Sequence, residues 1–169
     1  MKRIVKLLIV LTVVILGIGV RIVFFPRHYE PIALVDGVKF GMAPAEIRRI
    51  CGAPASEEES AVAPEITYVC SGEYEGVPAE IRYSFLQVRR HFELYDVMLT
   101  CQTVSDSETA EIFHSMIERL RAAYGSKDGY SETILDQSAV FHVSYGAVFI
   151  DCEVHSGPSG VRATLTRVY

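Results

Sequence analysis

The chain of 169 residues carries 16 basic and 21 acidic side chains, for a formal net charge of −5, and half of its residues are hydrophobic. Residues 1–30 hold Lys2, Arg3, Lys6, Arg21 and Arg27 against Glu30, so the other 139 residues carry −9. An acidic body of this kind repels phosphate backbones and speaks against nucleic-acid binding, and the chain contains no Asn and therefore no N-glycosylation sequon.

Residues 1–25 combine a basic start with an apolar run from Leu7 to Phe25, interrupted by Arg21 near its end. About 20 apolar residues cross a hydrocarbon core, and Lys2, Arg3 and Lys6 favour a cytoplasmic N-terminus. The segment predicts a single-pass anchor with everything after Phe25 extracytoplasmic. A cleaved signal peptide is the alternative, although no Ala-x-Ala and no lipoprotein cysteine is present. Residues 26–37 read as a linker.

The body opens at Val38. In PAEIRRICG, Pro44 suits a first helical turn, where its missing N–H costs nothing. Ile47, Ile50 and Cys51 make an apolar face, and Gly52 and Pro54 end the helix. Strands are predicted over 66–71, 79–86 and roughly 92–103. Arg89-Arg90-His91, the one basic cluster of the body, reads as a hairpin turn. A second helix spans SDSETAEIFHSMIERLRAAYG, with Ser105 and Glu108 as a capping box, an apolar stripe from Phe113 to Tyr124, and Gly125 as its stop. Strands at 139–145, 147–155 and 161–168 follow. The gap from Gly52 to Ile66 equals that from Gly125 to Ala139. The chain thus predicts an α+β fold of two helix–three-strand repeats, 38–104 and 105–169, in which helices cover one face of an antiparallel sheet.

Phe40-Gly41-Met42, Glu46-Ile47 and Gly52-x-Pro54 resemble the opening of small extracytoplasmic domains of the BamE (SmpA/OmlA) and β-lactamase inhibitory protein-like kind. The resemblance implies antiparallel sheets with helices on one side and a role in binding other proteins. The sequence departs from it in Ala43-Pro44, where a hydroxyl cap is usual, and in Cys51, where Leu is common.

Cys51, Cys70, Cys101 and Cys152 each share a side with apolar neighbours and are expected to face the core. Outside the membrane an even cysteine count invites disulfides, and Cys51–Cys70 and Cys101–Cys152 are candidate pairs because each joins neighbouring elements. Four buried thiols acting as small apolar side chains are the alternative. Zinc-type ligand spacings and phosphate-loop motifs are absent, so no metal, cofactor or catalytic residue is assigned. The acidic stretch SEEESAVAPE and the EYE at 73–75 offer a contact surface for a basic partner, or simply a solvated loop. The functional expectation is a non-enzymatic, membrane-tethered module that binds a protein of the cell envelope, with a thiol- or acid-dependent envelope enzyme as the alternative.

Overall fold

Long strands of alternating polarity find one solution, a single antiparallel sheet in which every second side chain faces the helices. A computed structural model describes residues 30–145 and 148–168. The elements run α1 (Pro44–Cys51), β1 (Ser56–Glu59), β2 (Glu65–Tyr74), β3 (Val77–Val88), β4 (His91–Cys101), α2 (Asp106–Tyr124), β5 (Ser131–Leu135), β6 (Ser138–Tyr145), β7 (Val148–Gly157) and β8 (Gly160–Val168). The sheet order is β1-β2-β3-β4-β8-β7-β6-β5. Each group of four is a meander, and β4 meets β8 antiparallel in the middle, from Asp96↔Thr166 to Cys101↔Val161.

The architecture corrects the sequence-based fold class. Instead of two helix–three-strand repeats, the described residues build one eight-stranded sheet with two unequal helices of 8 and 19 residues. The two additional strands, β1 and β5, are the sheet edges, and every residue in them is exposed. The expected anchor over 1–25 lies outside the described residues. Among the described residues no helix is long and apolar enough to cross a membrane, so none of them supplies the span that the expected single-pass, extracytoplasmic topology needs. The supposed linker is also revised. Ile32 and Leu34 are buried with Val38 and Phe40, and Pro31 bridges Lys39. The Tyr124 hydroxyl donates to Pro31 O at 2.9 Å and accepts from Ala33 N–H at 3.2 Å, tying this segment to the end of α2.

Cross-strand partners point to the same face. One row therefore crosses the whole core: Glu57, Tyr68, Tyr83, Val97, Leu165, Cys152, Phe141 and Glu132. The six inner members are almost wholly buried. The two end members are glutamates, and each meets a helix: Arg48 of α1 reaches Glu57 at 2.5 Å, and Arg121 of α2 reaches Glu132 at 2.9 and 3.0 Å. Helix α2 lies over β7 and β8, with Ile112, Phe113, Met116, Ile117 and Leu120 buried.

The helix ends follow their sequence signals in part. Glu46 Oε2 accepts from Ala43 N–H at 2.8 Å, half of a capping box whose other half Ala43 has no hydroxyl to supply. Gly52 closes α1 with φ +78°. Gly125 differs: its φ of −60° is helical, and its N–H continues the ladder to Arg121 O. The stretch 40–42 is scaffold, since Phe40 is fully buried, Gly41 N–H donates to Leu94 O, and Leu94 N–H donates to Met42 O, both at 2.8 Å.

Gly160, with φ +130°, opens β8 where a Cβ would stand 1.9 Å from the carbonyl oxygen of Cys101. Side-chain rotation cannot relieve a clash with backbone, so β8 must move off β4. Gly160→Ala is expected to destabilise the fold by about 2–4 kcal/mol. Gly72→Ala, which meets only Ile81 Cδ1 at 3.6 Å, is expected to be neutral or slightly stabilising. Urea unfolding of both variants checks the contrast.

Candidate functional site

A sheet covered on one side presents its other side to whatever surrounds it. One residue along from the core row lies a second complete row: Glu58, Thr67, Ser84, Asp96, Thr166, Asp151, His142 and Ser131. Seven inter-strand steps make it roughly 34 Å wide. Its polar groups pair along the row. Thr67 and Ser84 hydroxyls lie 3.3 Å apart, the Thr166 hydroxyl donates to Asp96 Oδ1 at 2.6 Å, and His142 Nδ1 meets Asp151 Oδ1 at 2.7 Å. The next row, through Val69, Arg82, Met98, Thr164, Glu153 and Val140, interleaves apolar and charged side chains.

Charge on this open face is one-sided. Glu58, Glu65, Glu73, Glu80, Glu93, Asp96, Asp151 and Glu153 belong to it by register and alternation, against Arg82 and Arg162. Eight carboxylates and two guanidiniums leave six negative charges. Arg82 is shared between Glu80 at 2.8 Å and Glu58 at 3.9 Å. Asp96 sits at the middle of the sheet, and burial there raises its pKa. The Thr166 hydrogen bond acts in the opposite direction, and the charge of Glu65 adds to the rise. Tyr95, the extra residue of a bulge opposite Ser84/Phe85, is pushed up to about 12 by burial and by its bond to Glu65.

The row contains Ser131 opposite His142, itself bonded to Asp151, which are the residue types of a nucleophilic relay. The arrangement does not build an active site. His142 and Asp151 are about half exposed on a flat strand surface. The grooves flanking α2, lined by residues such as Phe113, His114, Ile134 and Asp136, lie on the opposite face. A relay needs an enclosed place beside it for the developing oxyanion.

The cysteines lie on the helix-bearing face. Cys70, Cys101 and Cys152 are buried, Cys51 is half-buried, and all four are thiols. The Cys70 thiol points at Cys51 Sγ, 2.8 Å away. Cys101 and Cys152 do not meet. Strand β8 separates β4 from β7, and their partners Val161 and Leu165 are four residues apart along it. That places them roughly 16 Å apart, beyond the ~7 Å that a disulfide spans. Burial pushes Cys70 up to about 12 and Cys101 up to about 11, and it raises Cys152 as well. Thiols held protonated in this way are poor nucleophiles. Among the described residues no three His, Cys, Asp or Glu side chains gather as a metal site.

Sequence reasoning picked out the cysteines, the acidic loop and a sheet with helices on one face, but not which residues share the open one. The signal was present as the polar half of each alternating strand, yet only the register shows that these halves align. The chain matches no protein-family model, no curated protein and no solved structure.

The raised pKa of Asp96 carries a pH signature. A carboxyl whose folded-state pKa exceeds its unfolded value of about 3.9 binds its proton more tightly when folded. Its contribution is therefore fully present below that value and is lost as pH rises through the folded pKa. Asp96→Asn keeps an oxygen acceptor for Thr166 and removes the charge. Its Tm is expected to exceed that of the wild type at pH 7, with the gap closing towards pH 3. Thermal unfolding followed by circular dichroism across that range checks the sign.

Proposed function

We propose that the chain is a non-enzymatic protein-binding module that receives a basic protein surface on its open sheet face. The observation that carries this reading is the six-charge excess of carboxylates on the face of the eight-stranded sheet that no helix among the described residues covers. Opposite charge steers a partner to such a surface and fixes its orientation, while like charge turns acidic proteins away. The size is suitable. The two central rows and their neighbours span roughly 34 by 20 Å, close to the ~800 Å² that each partner contributes to a standard interface. Met98 and Val140, both half-buried, supply apolar contact between the charges, as an interface centre requires. The resemblance of Phe40–Pro54 to BamE-like and β-lactamase inhibitory protein-like openings points the same way, because those domains act by binding other proteins. Burial of Cys70, Cys101 and Cys152 disfavours any of them as the nucleophile of an enzyme acting on an external substrate.

A photo-crosslinking residue placed at Thr164, in the centre of the face, is expected to capture a discrete protein in the cells that make this chain. The same residue at Ala122, exposed on α2, is not. Glu80→Lys with Glu93→Lys is expected to slow association with the captured protein by roughly tenfold at low salt, with the difference shrinking at high salt. Capture only from Ala122, or rates indifferent to the reversal, would sink the proposal.

A further inference from the structure

Two thiols stand together in this fold without any role in the open face. Cys51 ends α1, and Cys70 lies in β2 on the helix-bearing side. Their sulfurs are 2.8 Å apart, with the Cys70 S–H directed at Cys51. The surroundings differ between the two. Cys70 is 3% exposed, whereas Cys51 is half-buried at the rim. Tyr83 packs within electrostatic reach of both, and Arg48, three residues before Cys51, lies over the Tyr68 ring at 4.8 Å. Between the cysteines run 18 residues that include Gly52, the edge strand β1 and the exposed loop 60–64. The stretch enters β2 at Glu65; before that, it joins the sheet through β1, the flanking bonds from Ala55 N–H to Val69 O and from Ser60 N–H to Glu65 O, and the bond from Gln87 N–H to Pro64 O.

We propose that Cys51 and Cys70 are a thiol–disulfide site, oxidised by a small-molecule or protein disulfide, whose bond staples α1 and the β1 edge to β2. The exposed partner reacts first. Cys51 Sγ, as thiolate, attacks one sulfur of the incoming disulfide, forming a mixed disulfide and releasing one thiol. Cys70 then gives up its proton to water, its sulfur attacks Cys51 Sγ, and the second thiol leaves. Two protein thiols and one disulfide become one protein disulfide and two thiols, so electrons and protons balance. Reduction runs by attack at the accessible Cys51 sulfur and must expel Cys70. A buried sulfur of high proton affinity is a slow leaving group, so the bond, once made, resists thiol reductants. The staple closes a loop of about 20 residues in the unfolded chain, which lowers the entropy of that state. It also holds a helix too short to persist alone. This site stands independently of any partner on the open face.

The test uses the full-length chain, reduced and then equilibrated in oxidised and reduced glutathione, quenched with a maleimide under denaturing conditions and mapped by mass spectrometry. The expected product has one Cys51–Cys70 cross-link with Cys101 and Cys152 still labelled as thiols. Its Tm is expected to be about 5–10 °C above that of the reduced chain. In Cys70→Ser, which cannot complete the second step, Cys51 is expected to accumulate as the mixed disulfide with glutathione. In Cys51→Ser, Cys70 is expected to stay a thiol until the protein is unfolded. Four free thiols after oxidation, or a cross-link between any other two cysteines, would overturn the site. A correctly linked chain with unchanged Tm would overturn the staple.

Discussion

The pairing of β4 with β8 is the constraint on which both faces of the protein depend. Six residue pairs, Asp96↔Thr166 to Cys101↔Val161, join two four-stranded meanders that share no other strand pairing. Every row that runs from one meander into the other passes through this seam. A slip of one residue would turn Asp96, Met98 and Thr100 towards α2 and send Val97, Leu99 and Cys101 outwards. Carboxylates would then enter an apolar layer without partners, at a cost of several kcal/mol each. The seam is held by tight backbone approach as well as by polarity, since Gly160 lets β8 begin against the carbonyl of Cys101 where any side chain collides.

With register fixed, the helices act as closures of unequal strength. Helix α2 has 19 residues and buries Ile112, Phe113, Met116, Ile117, Leu120 and Tyr124, so burial alone secures it. Helix α1 has eight residues and buries only Ile47. Its ion pair, Arg48–Glu57, is exposed and therefore weak as a source of stability, as is Arg121–Glu132 on the other side. What these pairs supply is placement, because each binds a helix to the end of the same buried row. The Cys51–Cys70 contact adds a second fixed point at the end of the helix that has least else to hold it.

How much of this was legible in the sequence follows from where burial leaves a trace. Long strands such as β3 and β7 alternate because one face is wet and the other dry, and helix α2 announces itself by its stripe and its Ser105 cap. Strands β1 and β5 lie at the edges, exposed on both faces, so SEEE and SETIL carry no alternation to read. Missing them turned four strands per helix into three and suggested a repeat the architecture does not have. The segment around Ile32 and Leu34 failed differently. Its buried residues, Ile32, Leu34, Val38 and Phe40, do alternate on either side of Asp36-Gly37, but the run is short, and what ties it to the core is Tyr124, some 90 residues away. Cys51 and Cys70 were recognisable as core-facing residues of elements consecutive in the chain, and they lie together; Cys101 and Cys152 were read the same way, but their separation is a property of strand order that no local pattern encodes.

The open face owes its character to what its own pairing leaves over. Hydroxyls are taken up within the central row, Thr67 with Ser84 and Thr166 with Asp96, and His142 is engaged by Asp151. Groups committed in this way have little capacity left for directed hydrogen bonds to a small substrate, and the flat surface excludes no water. Net charge is different, because neighbouring dipoles do not cancel it. Arg82 offsets part of Glu80 and Glu58, yet Glu65, Glu73, Glu93 and Glu153 remain on the same side of the sheet without a guanidinium beside them on their own strands. A field of one sign over a broad, shallow surface discriminates between macromolecules by their charge and shape and gives almost no purchase on a small molecule. Strand register therefore shapes the open face as well as the core: it gathers carboxylates scattered over nearly a hundred residues of chain onto the face that no helix among the described residues covers.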